Sequence, residues 1–341
     1  MKFEDLYFAG IGTWLPPALS AEQAVRDGLC DQRVVAGTGM TAVAVDRSGD
    51  VPAEMAVRAA RQALAAGGVD RAGIGLVLYA HLYDQGNQLW SAASYVQRRA
   101  VGNRCPAIEV RQVSNGGMAA LDLATAYLTA RPEVESVLLC SADRFCAPGF
   151  DRWNTDPGTV YADGGVAAVL ARGRGFARLA SLVLVGDPDL EGMHRGGDAH
   201  GVAPVSTQVP LDLGAYKQNF LRQAGRSFTV TRVGAGQQEA VKLALAEADC
   251  ELADMRRVLT PHFGRRRLET NVLRNLDVDL DRTAWSWASA VGHLGVGDQF
   301  AGLRQLVAAG ELVPGDRCLL IGVGAGFTWS CAVVEICGRS R

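Results

Sequence analysis

The sequence predicts an α/β protein built from two similar halves. Amphipathic helical patterns alternate with short strands made almost wholly of apolar residues, and such strands are typical of sheets that helices cover on both faces. The chain has 341 residues, of which 48% are hydrophobic, so it can form a large continuous core. Matching segments in the two halves further predict that this α/β fold arises from an internal duplication.

The duplicated segments each contain an amphipathic helix, a buried strand and then a histidine. The histidine is His81 in the first copy and His262 in the second. From each histidine the same distance leads to another apolar strand, residues 137–140 in the first copy and residues 318–321 in the second. The two copies therefore stay in register well beyond the first match.

A turn followed by an apolar helix occupies an equivalent place in each copy, and these turns contain Ser114 and His293. Fused repeats commonly pack about a pseudo-two-fold axis, which brings equivalent turns face to face. We therefore predict an N-terminal half, residues 1–172, that carries the nucleophile, and a C-terminal half, residues 173–341, that carries the histidines. Ser114 and His293 are predicted to meet although they are far apart in the sequence.

Charge and cysteine content argue against several classes of protein. Lys and Arg number 34 and Asp and Glu 36, so the net charge of -2 would not attract nucleic acid or an anionic membrane. The eight cysteines form no C-x-x-C pairs, which disfavours a zinc site or a disulfide framework. The acidic N-terminus lacks the apolar stretch of a signal peptide, so we expect a cytoplasmic protein. The uncharged stretch between Arg317 and Glu335 contains several glycines and suits two strands around a turn better than a membrane span.

Ser114 lies where a strand-like stretch, residues 108–113, gives way to a helix that begins with glycines. A hydroxyl at such a turn sits beside free backbone N–H groups at the positive end of the helix dipole, where negative charge on a substrate carbonyl is stabilised. The position therefore suits a nucleophile. It also suits an N-cap that accepts hydrogen bonds from its own helix.

The chain offers five histidines, one of which can serve as the base that a serine nucleophile needs. His293 precedes Asp298 by five residues in a glycine-containing loop, so the carboxylate can bind the imidazole and set its tautomer. Ser114, His293 and Asp298 thus form a candidate catalytic set; the alternative is a surface-loop histidine beside a helix N-cap. His262, after Pro261, is either a second catalytic imidazole or a histidine satisfied at a strand end.

The glycine-rich segment 322–329 follows a buried strand and can bring its backbone close to a substrate. The backbone N–H of Ala325, together with that of Ser114, forms a candidate oxyanion hole, and Gly324 and Gly326 are candidate substrate contacts. A dinucleotide loop fits poorly, because the spacing is not G-x-G-x-x-G and a strand follows in place of a helix.

Two histidines, His194 and His200, flank a loop in which a metal site is conceivable. A solvated loop explains the spacing better, so we expect no metal. His194 is also a candidate substrate contact.

The residues described above resemble those of the ketoacyl synthase III branch of the thiolase superfamily. The resemblance rests on the segment 322–329 with its following strand, the segment 163–170, the pair Pro261 and His262, and a nucleophile turn near one third of the chain. It covers nearly the whole chain in order. It implies the thiolase-like duplicated five-layered α-β-α-β-α fold and a homodimer.

Departures from the family pattern are equally informative. Ser114 stands where the family has its cysteine nucleophile and His293 where it has an asparagine, while His262 is the family histidine. This pattern is similar to ketosynthase III-like acyltransferases and starter-unit enzymes of actinomycete polyketide pathways, such as the starter-unit protein of daunorubicin biosynthesis. It implies acyl transfer through an acyl-Ser114 intermediate in polyketide or antibiotic biosynthesis. The alternatives are decarboxylative condensation with a malonyl-carrier protein and a non-catalytic scaffold.

The same resemblance bears on cofactors. Where the family's coenzyme A site has a stacking tryptophan and a nearby arginine, this chain has Arg33 and Gly37. We therefore expect no tightly bound cofactor and an acyl group on phosphopantetheine, with an acyl carrier protein at least as suitable a donor as coenzyme A.

Overall fold

A computed structural model describes residues 1–195 and 209–338 of the chain. Eleven strands run through these residues: β1 Leu6–Trp14, β2 Ala18–Ser20, β3 Ala42–Ala44, β4 Ile74–Ala80, β5 Ala107–Val110, β6 Ser136–Asp143, β7 Gly164–Arg172, β8 Ala177–Gly186, β9 Met255–Leu259, β10 Arg317–Gly324 and β11 Thr328–Ile336.

Ten α-helices accompany the strands in the described ranges, together with short 3-10 and π turns. They are α1 Ala21–Arg26, α2 Gln32–Thr38, α3 Pro52–Gly67, α4 Ala92–Val96, α5 Gly116–Ala130, α6 Leu213–Ala224, α7 Arg226–Glu247, α8 Arg265–Leu268, α9 Trp285–Ala288 and α10 Asp298–Ala308. No helix in the described parts of the chain is both long and apolar enough to cross a membrane.

The sheet order shows the duplication directly. Nine strands pair in the order β5-β4-β6-β7-β1-β8-β11-β10-β9. The run β4-β6-β7-β1 is repeated in mirror order by β9-β10-β11-β8, and in both runs the first pair is parallel and the others are antiparallel. Val77 pairs with Leu138 in the first half, and Val258 pairs with Leu319 in the second, at the same offset as the matching histidines. The predicted duplication is therefore present in the register of the strands.

Five layers follow from the way these elements bury their apolar faces. Helices α5 and α10 lie in the middle, and their residues, such as Leu121 and Leu303, share one core with strands of both halves. Helix α3 covers the outer face of the first half, where Val57 packs near Val169. Helix α7 covers the outer face of the second half through residues such as Val241. The predicted thiolase-like α/β architecture is confirmed.

Two local expectations have different outcomes. The uncharged stretch before Glu335 forms the antiparallel hairpin of β10 and β11, as predicted. The strand expected over residues 108–113 ends at Val110, because Val113 adopts a left-handed conformation with φ of 49° and the chain turns there. The predicted boundary between the halves lies just after Arg172, where β7 ends.

Close packing of α3 on the first sheet depends on glycine. A Cβ atom on Gly12 would lie 2.1 Å from the carbonyl oxygen of Ala59 and 2.6 Å from the backbone nitrogen of Ala63. A Cβ atom on Gly165 would lie 2.4 Å from the carbonyl oxygen of Met55. The helix backbone can therefore approach β1 and β7 only where these side chains are missing.

We predict that Gly12→Ala lowers the free energy of unfolding by about 1–3 kcal/mol, because the added methyl group overpacks the contact between α3 and β1. Chemical denaturation measures the change. Gly73→Ala is the matched control, since a Cβ atom there meets no neighbouring atom. Equal stability of the two variants would contradict this account of the helix contact.

Candidate active site

The turn before α5 presents Ser114 to the second half of the molecule. Backbone hydrogen bonds from Asn115 to Gln112 (3.1 Å) and from Gly116 to Val113 (3.0 Å) close this turn. The Ser114 Oγ atom lies 3.1 Å from Nε2 of His293. The residues that the duplication predicted to meet are therefore in hydrogen-bond contact.

Glycine again permits the approach of the two turns. A Cβ atom on Gly117 would lie 2.2 Å from the carbonyl oxygen of Val296, and one on Gly116 would lie 3.1 Å from the side chain of Val296. Larger residues after Ser114 would therefore push the His293 loop away from the serine.

The His293 loop is held from both sides. The backbone N–H of His293 donates to the Val160 carbonyl and its carbonyl accepts from Ala162, each at 2.8 Å. The imidazole Nδ1 lies 2.5 Å from Oδ2 of Asp298. His293 is 1% exposed and Asp298 2%, so the alternative of a surface-loop histidine is wrong.

Asp298 is the first residue of α10, but its carboxylate does not cap that helix. It accepts hydrogen bonds from the backbone N–H groups of His262 and Leu294, each at 2.8 Å, in addition to contacting the His293 ring. Burial raises the pKa of Asp298, but the neighbouring His262 and His293 rings outweigh it and lower the pKa to about 2. The carboxylate is therefore ionised at neutral pH.

His262 shares this carboxylate. Its Nδ1 lies 3.0 Å from the Gly292 carbonyl oxygen and 3.2 Å from Oδ1 of Asp298, and its ring meets Trp287 edge-on. Burial lowers the pKa of His262, which favours the neutral imidazole. The second predicted imidazole thus lies in the same buried cluster as the first.

The arrangement can perform general-base chemistry on a serine. A proton on Nδ1 of His293, held by Asp298, leaves Nε2 free to accept the proton of the Ser114 hydroxyl. The same carboxylate stabilises the imidazolium that results. The candidate nucleophile, base and orienting acid thus contact one another in the order that this chemistry needs.

The two predicted oxyanion donors lie on different halves of the molecule. Among the described residues, no acceptor binds the backbone N–H of Ser114 or of Ala325. Gly324 stays a predicted substrate contact, but its missing side chain does not make room for substrate on the Cβ side, because a Cβ atom there would lie 2.5 Å from the Gln112 carbonyl oxygen and 2.8 Å from the Cβ of Asn115. Gly324 instead lets the serine turn pack on β10. Gly326 has a φ of 136°. A Cβ atom added there would meet no described atom closer than the side-chain amide nitrogen of Gln112, at 3.9 Å.

His194 lies apart from the serine cluster. Its ring meets Phe327 edge-on at 5.9 Å, and its Nε2 has no hydrogen-bond partner among residues 1–195 and 209–338. Burial lowers the pKa of His194 to about 3, and nearby Lys217 adds to this effect. His200 lies outside the described residues, and no cluster of three metal-ligating side chains occurs in the ranges that the structure describes.

A cavity of about 750 Å³ opens beside Phe327. Of the residues that the structure describes, four with cationic side chains line it and no Asp or Glu does; the cations are Arg33, Lys217, Arg266 and Arg267. Arg33 and Gly37, singled out in the sequence for the cofactor site, are both in this wall. The cavity therefore favours an anionic ligand although the whole chain has a net charge of -2.

Sequence reasoning missed a buried ionic group in this wall. Asp156 contacts the Lys217 amine and accepts a hydrogen bond from Arg267 at 2.8 Å. Burial and the adjacent Arg267 lower the pKa of Lys217 to about 8, despite Asp156. The three residues come from distant segments without a shared motif, so no local pattern could have grouped them.

A single layer of aromatic side chains separates this group from His293. The Arg267 guanidinium lies 4.3 Å from the centre of the Phe263 ring, which lies 5.9 Å from the His293 ring. Tyr161 donates its hydroxyl to Asp156 at 3.3 Å and meets the His293 ring at 5.1 Å. The cationic cavity wall and the serine cluster are thus neighbours.

Comparisons with known proteins agree with this geometry. Residues 108–188 match the family model of 3-oxoacyl-[acyl-carrier-protein] synthase III, and residues 245–336 match the model of its C-terminal part. The beta-ketoacyl-[acyl-carrier-protein] synthase III of Paramagnetospirillum magneticum is 26% identical over 334 residues, covering 96% of this chain and 98% of the relative.

Solved structures of similar proteins include an acyltransferase. ChlB3, an acyltransferase, superposes with a TM-score of 0.94 at 34% identity, with 99% of each chain covered. The synthase III of Pseudomonas aeruginosa PAO1 has a TM-score of 0.78 at 20% identity over 99% of this chain and all of the other, which supports the fold alone. The chain therefore belongs to the ketoacyl synthase III family of enzymes.

Proposed function

We propose that this protein is an acyltransferase that moves an acyl group from a phosphopantetheine thioester to an acceptor through an ester on Ser114. The observation that carries the proposal is the continuous contact from Ser114 through His293 to Asp298. The similarity to ChlB3, which is described as an acyltransferase, supports the same reaction class.

The reaction has two half-steps. The Ser114 oxygen attacks the thioester carbonyl while its proton passes to Nε2 of His293, and the N–H groups of Ser114 and Ala325 bind the oxyanion. The carbon–sulfur bond then breaks, and the thiol leaves with the proton from His293. In the second step His293 or His262 removes a proton from the acceptor, which attacks the ester carbonyl. The bond between the acyl carbon and the Ser114 oxygen then breaks, and the protonated imidazole returns its proton to that oxygen.

The donor is an acyl group on phosphopantetheine, carried by an acyl carrier protein or by coenzyme A. The four cations of the cavity wall support a ligand with a phosphate, and Asp156 neutralises only part of their charge. Arg33 stands where the family has its stacking tryptophan and Gly37 where it has the nearby arginine, so the wall lacks both of these nucleotide-binding groups, which favours the carrier protein over the free nucleotide.

A homodimer and a role in polyketide or antibiotic biosynthesis complete the proposal. The edge strand β5 has an unpaired side and exposes Ile108 to 49%, so it offers a surface for a second copy of the chain. The replacement of the family cysteine by Ser114 supports the biosynthetic role.

We predict that a competent acyl donor adds one acyl mass to the protein and that Ser114→Ala abolishes this adduct. His293→Ala should slow adduct formation roughly 10²–10⁴-fold, because the general base is lost. Rapid-quench sampling followed by intact-protein mass spectrometry measures both effects.

Asp298→Asn and Ser114→Cys serve as controls for this prediction. Asp298→Asn should slow acylation while donor binding is retained, since it disturbs the orientation and charge of the imidazole without removing the nucleophile. Ser114→Cys keeps a nucleophile and should still be acylated. If a broad donor panel leaves the wild-type protein unmodified, and Ser114→Ala keeps full activity in a reconstituted pathway, a scaffold role replaces the proposal.

Decarboxylative condensation is the second candidate, because His262 lies in the same cluster as His293 and paired imidazoles can polarise a malonyl thioester carbonyl. An acyl-serine ester is a poorer donor to carbon than a thioester. We therefore predict that label from the donor reaches the acceptor without release of carbon dioxide from malonyl-carrier protein. Carbon dioxide release coupled to a β-ketoacyl product, followed with carboxyl-labelled malonyl groups, would establish condensation instead.

Binding of the phosphate-bearing donor is predicted to weaken as the pH rises above about 8. The pKa of Lys217 lies there, so at higher pH the free protein must take up a proton to present the charged amine. Affinity for coenzyme A should fall by up to about tenfold per pH unit in that range, as proton linkage requires.

Two variants make the Lys217 measurement specific. Lys217→Arg should bind with little pH dependence between 7 and 10, and Lys217→Met should bind weakly at every pH. Calorimetric titration reports the affinities. A wild-type affinity that is flat from pH 7 to 10 would exclude Lys217 from the binding site.

A further inference from the structure

We infer that Asn115 is a positioning residue that fixes the serine turn against the loop carrying the Ala325 N–H group. The inference rests on the proposed function, since it concerns the geometry in which Ser114 is acylated.

The Asn115 side chain forms two hydrogen bonds with the other half of the molecule. Its Oδ1 accepts from the Ser330 hydroxyl at 2.6 Å, and its Nδ2 donates to the Thr328 hydroxyl oxygen at 3.1 Å. The residue is fully buried. Both partners belong to β11, so one side-chain amide joins the start of α5 to a strand that is far away in the sequence.

Two glycines of β10 make the space for this amide. A Cβ atom on Gly322 would lie 2.4 Å from Oδ1 of Asn115, and one on Gly324 would lie 2.8 Å from its Cβ. The serine turn therefore rests directly on the backbone of the hairpin formed by β10 and β11. A side chain at either glycine would displace Asn115.

This contact sets the distance between the two oxyanion donors. Ser114 immediately precedes Asn115, while Ala325 lies in the loop between β10 and β11. The donors must lie close to hydrogen-bond distance from one oxyanion, and a shift of about 1 Å can cost roughly 10²-fold in rate. Because the donors lie on different halves, their spacing depends on the contacts that join the halves.

The base is tied to the same hairpin. Gln299, next to Asp298, donates its side-chain N–H to the Ile321 carbonyl of β10 at 2.8 Å. The start of α5 is thus hydrogen-bonded to β11 and the start of α10 to β10, the two strands of one hairpin. Asn115 fixes the nucleophile in this arrangement, and Gln299 fixes the helix that carries the orienting acid.

A buried amide could also act on stability alone, since unpaired polar groups destabilise a core. The test separates the two roles with Asn115→Ala, Ser330→Ala and the double variant. Positioning predicts that each single variant lowers the rate constant of Ser114 acylation about 10- to 100-fold at a temperature where the protein stays folded, with donor affinity unchanged. The double variant should be no slower than Asn115→Ala, because Ser330→Ala removes a hydrogen bond that Asn115→Ala has already removed.

Ser181→Ala is the matched control. Its hydroxyl is also fully buried and donates to the Ala244 carbonyl at 2.7 Å, but it lies between β8 and α7, on the outer side of the second half. This variant should lose stability and keep the acylation rate constant. If Asn115→Ala does not fold, Asn115→Asp, which keeps the acceptor for Ser330 and loses the donor to Thr328, takes its place.

Where the wild-type protein forms the adduct, the acylation rate constants decide the inference. Slower acylation in the Asn115 and Ser330 variants but not in Ser181→Ala supports it, and wild-type acylation rates in the Asn115 variants overturn it. If the wild-type protein forms no adduct with any acyl-carrier-protein or acyl-coenzyme A donor, the proposed function fails. Amide hydrogen exchange then tests the positioning role without an activity measurement. Faster exchange of residues 113–117 and 325–327 in Asn115→Ala supports the positioning role, and unchanged exchange excludes it.

Discussion

The carboxylate of Asp298 is the constraint on which the site depends. Nearly complete burial would make its charge costly, yet three hydrogen bonds satisfy it, from the ring Nδ1 of His293 and from the backbone N–H groups of His262 and Leu294. The His262 ring lies 3.2 Å from the carboxylate and contacts the Gly292 carbonyl oxygen through the same Nδ1. Satisfying this charge fixes the tautomer of His293 and places His262 beside it. The loop after α9 and the end of β9 are therefore held by the same group that prepares the base.

The duplication supplies the rest of the geometry. Ser114 and His293 are 179 residues apart, and they meet because equivalent turns of the two halves face each other. The glycines after Ser114 and those of β10 allow backbone contact between the halves, and Asn115 adds a direct hydrogen-bonded link. The proposed nucleophile, base and oxyanion donors thus come from separate segments whose relative positions depend on the packing of one half on the other.

Sequence patterns predicted the duplication and the contact between Ser114 and His293, and they missed other contacts of the site. Equivalent spacing was sufficient to pair Ser114 with His293, because strand register carries over distance in a repeat. The packing of the serine turn on Gly324 was missed, since a glycine pattern does not say whether substrate or the protein's own backbone approaches it. The contacts of Asp156 with Lys217 and Arg267 join segments without periodicity or motif, and only the folded chain brings them together.

The central claim is that Ser114 carries the acyl group during turnover. Acid quenching during steady-state reaction with an isotopically labelled acyl-carrier-protein donor, followed by proteolysis and tandem mass spectrometry, locates the label directly. The account predicts an oxygen ester on the peptide containing Ser114, formed and lost at rates compatible with turnover. Label on a cysteine or on any other residue, or product formation with Ser114 unmodified throughout, would contradict it.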